Sequence, residues 1–144
     1  MAGIINGTTN FILTEMDTKG RDFNDVLVEA QEKGYAEADP TFDVEGIDAA
    51  HKLVILASIA FEMPLTLEGL YTDGITQLEP QDVAYAKELG YAIKHLGIAR
   101  QTDRGVELRV HPTLVPQKST IAGVNDVANA VMVNADAVGT TLFC

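Results

Sequence analysis

Hydrophobic positions along this chain follow two different periods. From Phe23 to Gly34 the apolar residues Phe23, Val26, Leu27 and Ala30 recur at helical spacing among charged ones, and Gly34 stands where a left-handed residue closes a helix. This predicts an amphipathic helix. From Ile47 to Phe61 only Asp48, His51, Lys52 and Ser58 are polar, and Pro64 follows. A helix apolar almost all round is a buried one, so this helix is expected among the most buried in the protein. Phe11, Ile12 and Met16 mark a third helix. It follows a short strand at Gly3-Ile4-Ile5 and a turn at Gly7, opens with Thr8 or Thr9 as cap, and runs to about Thr18.

Further along, the period shifts to two. Val106-Glu107-Leu108-Arg109-Val110 alternates apolar with charged, which predicts a strand with one wet face. It pairs with a strand in 91–100 across the turn Gln101-Thr102-Asp103-Arg104-Gly105. Residues 65–74 read as irregular with room for one short strand, 81–89 as a short helix ended by Gly90, and 119–124 as another short helix. Two further strands, 128–133 and 138–143, flank the turn 134–137. Helices with a mixed sheet predict an α+β fold, the helices packed on one sheet face.

Composition narrows the picture. At 144 residues and 47% hydrophobic, the chain is one domain with a sizeable core. A formal net charge of -11 argues against nucleic acid and anionic membranes as partners. The longest apolar run is interrupted by Ser58 and ends at Glu62, too short to span a bilayer. No basic region precedes an apolar segment at the N-terminus, and Cys144 stands alone, so a cytoplasmic protein without disulfides is expected. No His/Cys cluster suggests zinc. Both ends read as interrupted, Met1-Ala2-Gly3 running at once into a strand and the chain stopping at Cys144 in a strand pattern. The ends suit a piece of a longer chain or a small protein with short ends.

The chemistry concentrates between Gly34 and Lys52. Five carboxylates fall between Glu37 and Asp48, and Lys52 follows at the mouth of the apolar run. Pro40 holds Asp39 extended, so a helix starts after it, with Asp43 able to cap and Gly46 a weak spot near the start. Asp48 and Lys52 are four apart and share a helical face that continues through Ile55, Leu56 and Ile59. Two readings stay open. The pair is an ordinary surface ion pair, or it ends a core-facing stripe, where a partly desolvated lysine beside a carboxylate exchanges a proton. The carboxylate spacing does not match a calcium loop. His51 points about 100° away from the Lys52 face, and His111 precedes Pro112 in a strand; both read as structural or surface residues. The free N–H groups after Asn6 can bind an anionic group, although most such turns only cap helices.

Two stretches carry a family resemblance. Gly34-Tyr35-Ala36-Glu37-Ala38-Asp39-Pro40, then Asp43, then Gly46-Ile47-Asp48-Ala49-Ala50-His51-Lys52, resembles the homoserine dehydrogenase signature G-Y-x-E-x-D-P…D…G-x-D-x-x-x-K. Asn6-Gly7-Thr8-Thr9-Asn10-Phe11-Ile12-Leu13 resembles a second motif of that family, N-G-T-x-N-[FY]-I-L. The resemblance implies interconversion of L-homoserine and L-aspartate 4-semialdehyde with NAD or NADP, in threonine, methionine and isoleucine biosynthesis. It implies Lys52 as proton donor and acceptor, Asp48 orienting it, Glu37 gripping the substrate ammonium, and Asp43, Tyr35, Gly7 and Thr8 completing the substrate pocket. It also implies a fold like the C-terminal domain of glyceraldehyde-3-phosphate dehydrogenase-like proteins, and a homodimer. Residues 1–144 then form the substrate-binding and dimerisation domain. No G-x-G-x-x-G follows a strand, so the nucleotide-binding domain is expected to be missing and the cofactor to be held elsewhere. The alternative is a non-enzymatic α+β oligomerisation or amino-acid-binding module with an acidic loop.

Overall fold

The computed structural model describes residues 1–144. A six-stranded sheet runs in the order β2-β4-β3-β1-β5-β6. These strands are β1 (Ala2–Ile4), β2 (Tyr71–Thr72), β3 (Tyr91–Thr102), β4 (Gly105–Pro116), β5 (Ala130–Ala135) and β6 (Gly139–Phe143). β2 pairs parallel to β4 and every other neighbour is antiparallel, so the sheet is mixed. The helices are α1 (Gly7–Lys19), α2 (Phe23–Glu32), the single turn α3 (Thr41–Val44), α4 (Ile47–Phe61) and α5 (Pro80–Glu88).

The pleat of β3 separates the layers, because successive side chains point to opposite faces. Ile93 joins the cluster built from α1, α2 and α5, while Ala99 joins Leu53, Val54 and Ala57 of α4. On the opposite face Leu96 meets Ile4, Val115 and the 3-10 turn Thr120–Gly123. The helices thus cover one face and that short turn sits on the other, the α+β arrangement expected.

The deepest helix is α1, not α4. Thr8 to Met16 are all buried. In α4 only Ala49, Ala50, Leu53, Val54 and Ala57 are buried, while Ile55 is 50% and Ile59 75% exposed. The face that continues from Asp48 and Lys52 therefore looks outward, not into a core. Three alanines on the other face let α4 approach the sheet, and a Cβ added to Gly97 of β3 would lie 3.3 Å from Leu53 Cδ1. Burying an aliphatic side chain such as Leu53 or Val54 is worth roughly 1.5–3 kcal/mol. One buried face is enough to hold the helix.

Two caps also differ from expectation. Asn6, not Thr8 or Thr9, caps α1, its side chain accepting from the Thr9 N–H at 2.8 Å. Asp43 caps nothing; it lies in α3, and Gly46 then adopts φ 80°, which ends one helix and starts the next. A Cβ on Gly46 would also stand 3.0 Å from His95, so space and backbone both call for glycine there. This break leaves the Asp43 carboxylate free for other partners. β5 begins at Ala130, two residues late, because residues 124–128 are tied to α1 by Asn10 and Thr14 and to β3 by Lys94.

Candidate active site

The loop after α2, the two short helical starts and the N-terminus of α1 converge on one cavity of about 610 Å³. All seven residues singled out from the sequence border it: Lys52, Asp48, Glu37, Asp43, Tyr35, Gly7 and Thr8. Asn6, Asp39, Phe42 and Val127 border it as well. Asn6 lay inside a recognised motif and could have been read from it. Val127 carries no local signal and reaches the site only through the fold.

Lys52 and Asp48 form the expected pair, Nζ donating to Oδ2 at 2.6 Å. Nζ also donates to the Ile5 carbonyl at 3.2 Å. An ammonium has three donors, so one remains for a ligand. The lysine side chain is 49% exposed within this segment, which fits a surface pair better than a core-facing, partly desolvated one. The reason is the outward turn of its face of α4.

The acids divide by environment. Asp39 accepts from the hydroxyl and N–H of Thr41, which hold its carboxyl below the ordinary carboxylate range. Asp43 and Asp48 both accept from the Asn6 amide, at 2.8 and 2.9 Å. Glu37 gives its backbone carbonyl to Gln31, and its carboxylate has no partner within the chain. A carboxylate at a cavity with no internal partner suits a cationic ligand group.

Thr8 and Tyr35 hold the cavity wall together. The Thr8 hydroxyl donates to the Tyr35 carbonyl at 2.6 Å, and the Tyr35 ring stands edge-on to Phe11 at 5.3 Å. Gly7 opens α1 beneath Val127, whose carbonyl oxygen would lie 2.8 Å from an added Cβ. The loop bearing Val127 is clamped from below. Buried Lys94 donates to the Val124 carbonyl at 2.7 Å and to Asn125 Oδ1 at 2.9 Å, and burial pushes its pKa down.

His51 is exposed and packs edge-on against Phe42, and His111 packs against Tyr71; neither borders the cavity. His95 is buried beneath Gly46, its Nε2 2.8 Å from the Asp73 carbonyl oxygen, and burial holds its pKa down. No group of three or more His, Cys, Asp or Glu side chains is placed to hold a metal ion. No helix is long and apolar enough to cross a membrane.

Known proteins resemble this chain in sequence and fold. The family model described as homoserine dehydrogenase matches residues 1–144. A homoserine dehydrogenase from Pseudomonas aeruginosa is 69% identical over 143 residues, covering 99% of this chain and 33% of that protein. One from Neisseria gonorrhoeae is 58% identical, with the same two coverages. The crystal structure of a homoserine dehydrogenase from Thiobacillus denitrificans superposes with a TM-score of 0.96 at 65% identity, covering 98% of this chain and 33% of that one. The chain thus spans about a third of the length of these relatives. Two motifs, the fold and these matches over nearly every residue agree: the chain belongs to the homoserine dehydrogenase family.

Proposed function

We infer that this segment is the substrate-binding and dimerisation part of an oxidoreductase that interconverts L-homoserine and L-aspartate 4-semialdehyde with NAD or NADP. The reaction serves threonine, methionine and isoleucine biosynthesis, and a cytoplasmic location fits it. The observation that carries this reading is a single cavity where Glu37, Asp39, Asp43 and Asp48 face one lysine, held at two of its three donor positions. Such a site suits a small amino acid with an oxygen at its far end. The unpartnered Glu37 carboxylate takes the α-ammonium by a charge-assisted hydrogen bond. The first N–H groups of α1, at Gly7 and Thr8, suit the α-carboxylate. Tyr35 and Asp43 shape the space between.

In the oxidative direction the neutral Lys52 amine takes the hydroxyl proton as the carbon gives up hydride. In the reductive direction the Lys52 ammonium first polarises the carbonyl and then returns the proton to its oxygen. Asp48 holds Nζ in place and balances its charge. NAD or NADP exchanges the hydride, and on this reading the dinucleotide is held mainly by a domain outside residues 1–144.

A homodimer fits the open sheet face, where Ile98, Met132 and Leu142 are only partly covered. Purified alone, residues 1–144 should dimerise in sedimentation yet fail to oxidise homoserine with either nucleotide. Turnover free of contaminating enzyme contradicts the division of labour, and a strict monomer at high concentration contradicts the dimer.

A further inference from the structure

We propose that Asn6 is the positioning residue of this site: its side-chain amide binds Asp43 and Asp48 to one point and thereby fixes where Lys52 stands. The inference rests on the reading of Lys52 as the proton carrier.

Asn6 is 5% exposed and sits between β1 and α1. Its Oδ1 accepts the Thr9 N–H at 2.8 Å, so the amide cannot turn over without losing the cap of α1. That leaves Nδ2 facing the acids, and both its protons are used. One goes to Asp43 Oδ1 at 2.8 Å, the other to Asp48 Oδ2 at 2.9 Å. Asp48 Oδ2 is the same oxygen that receives Lys52 Nζ at 2.6 Å. The other anchor of Nζ, the Ile5 carbonyl, belongs to the residue just before Asn6. Every contact that locates the ammonium therefore runs through residues 5–6 or through a carboxylate that Asn6 holds.

The amide also solves a problem of charge. Asp43 arrives from α3 and Asp48 from α4, and two carboxylates drawn to one place repel. A neutral group with two donors lets both stay, while Lys52 offsets one of them. Only an amide combines the acceptor that caps α1 with two donors for the acids. Serine caps as well but has one donor on a shorter stem, and aspartate caps as well but donates nothing when ionised.

This contrast sets the test, run on the full-length enzyme that carries the segment. Thermal melts and the pH dependence of kcat and kcat/KM are compared for the unaltered enzyme, Asn6→Ser, Asn6→Asp and Lys52→Ala. Asn6→Ser keeps the cap and loses the tethers, so kcat should fall about 100-fold, the scale of a misplacement near 1 Å. KM should change less, because Glu37 is untouched. Asn6→Asp sets a third carboxylate beside Asp43 and Asp48, with Lys52 adjacent and Glu37 and Asp39 across the cavity. One of the clustered acids must then keep its proton to higher pH, and the acid limb of kcat/KM should rise by roughly a pH unit. A role confined to capping leaves kcat of Asn6→Ser unchanged, since Asn and Ser cap about equally, whereas the acid limb of Asn6→Asp reports only that position 6 faces both acids. Normal kcat in a folded Asn6→Ser, where Lys52→Ala is inactive, overturns the positioning role and leaves the Lys52 reading standing. Should Asn6→Asp fail to fold, kcat of Asn6→Ser decides alone. Full activity in Lys52→Ala removes both.

Discussion

Replacing Lys52 with alanine in the full-length enzyme should lower kcat by roughly two to four orders of magnitude while the protein stays folded. On the proposed reading the substitution removes the proton carrier and a positive charge that matters most as the oxygen changes its bonding. A loss of that size is about 2.7–5.5 kcal/mol of barrier. The Asp48–Lys52 pair cannot supply such an effect through stability, because half-exposed helical i,i+4 pairs are worth about 0.3–0.5 kcal/mol. The two readings left open by the sequence therefore separate cleanly. An ordinary surface pair predicts near-normal kcat in Lys52→Ala, and a proton carrier predicts its collapse. Steady-state rates with saturating homoserine, beside a thermal melt of the same sample, distinguish them.

The second large effect is expected at Glu37. Its carboxylate has no partner within the chain, so Glu37→Ala removes no internal hydrogen bond of that side chain. A hydrogen bond to a charged group is worth about 1.5–3 kcal/mol, which corresponds to a KM for homoserine raised roughly 10- to 100-fold. The ammonium does not change charge during the reaction, so kcat should fall far less than in Lys52→Ala. An unchanged KM in a folded Glu37→Ala enzyme would remove Glu37 from the substrate site.

Much of the fold is legible in the sequence where one face of an element is distinctly polar. The stripe of Phe23, Val26 and Ala30 predicts α2, and the alternation from Val106 to Val110 predicts the β3–β4 hairpin, each within a few residues. α4 defeats the same reasoning because it is apolar on two faces. Which face turns inward is decided by Ala49, Ala50 and Ala57, which permit close approach, and by Gly97 on a distant strand. Periodicity within the helix carries no information about that partner. The bypassed face leaves Ile55 and Ile59 in water and Lys52 half exposed.

The candidate site shows the same boundary. Seven residues named from two motifs border one cavity, since motif spacing records chemistry that local pattern does not. What the motifs omit is the wiring. Asn6 reads locally as part of a helix-capping turn, and its two carboxylate partners lie 37 and 42 residues away. Thr8 and Thr9, either of which can cap by residue type, instead donate their hydroxyls to the Tyr35 carbonyl and the Asn6 carbonyl. The loop that brings Val127 over Gly7 depends on buried Lys94, Asn10 and Thr14, whose partners all come from far along the chain.

The most direct test is the position of L-homoserine in a crystal structure of the full-length enzyme that carries this segment. The substrate hydroxyl should lie within about 2.6–3.2 Å of Lys52 Nζ, with the α-ammonium on the Glu37 carboxylate. Homoserine bound in the opposite sense, its hydroxyl at Glu37 and away from Lys52, or bound outside this cavity, would contradict it.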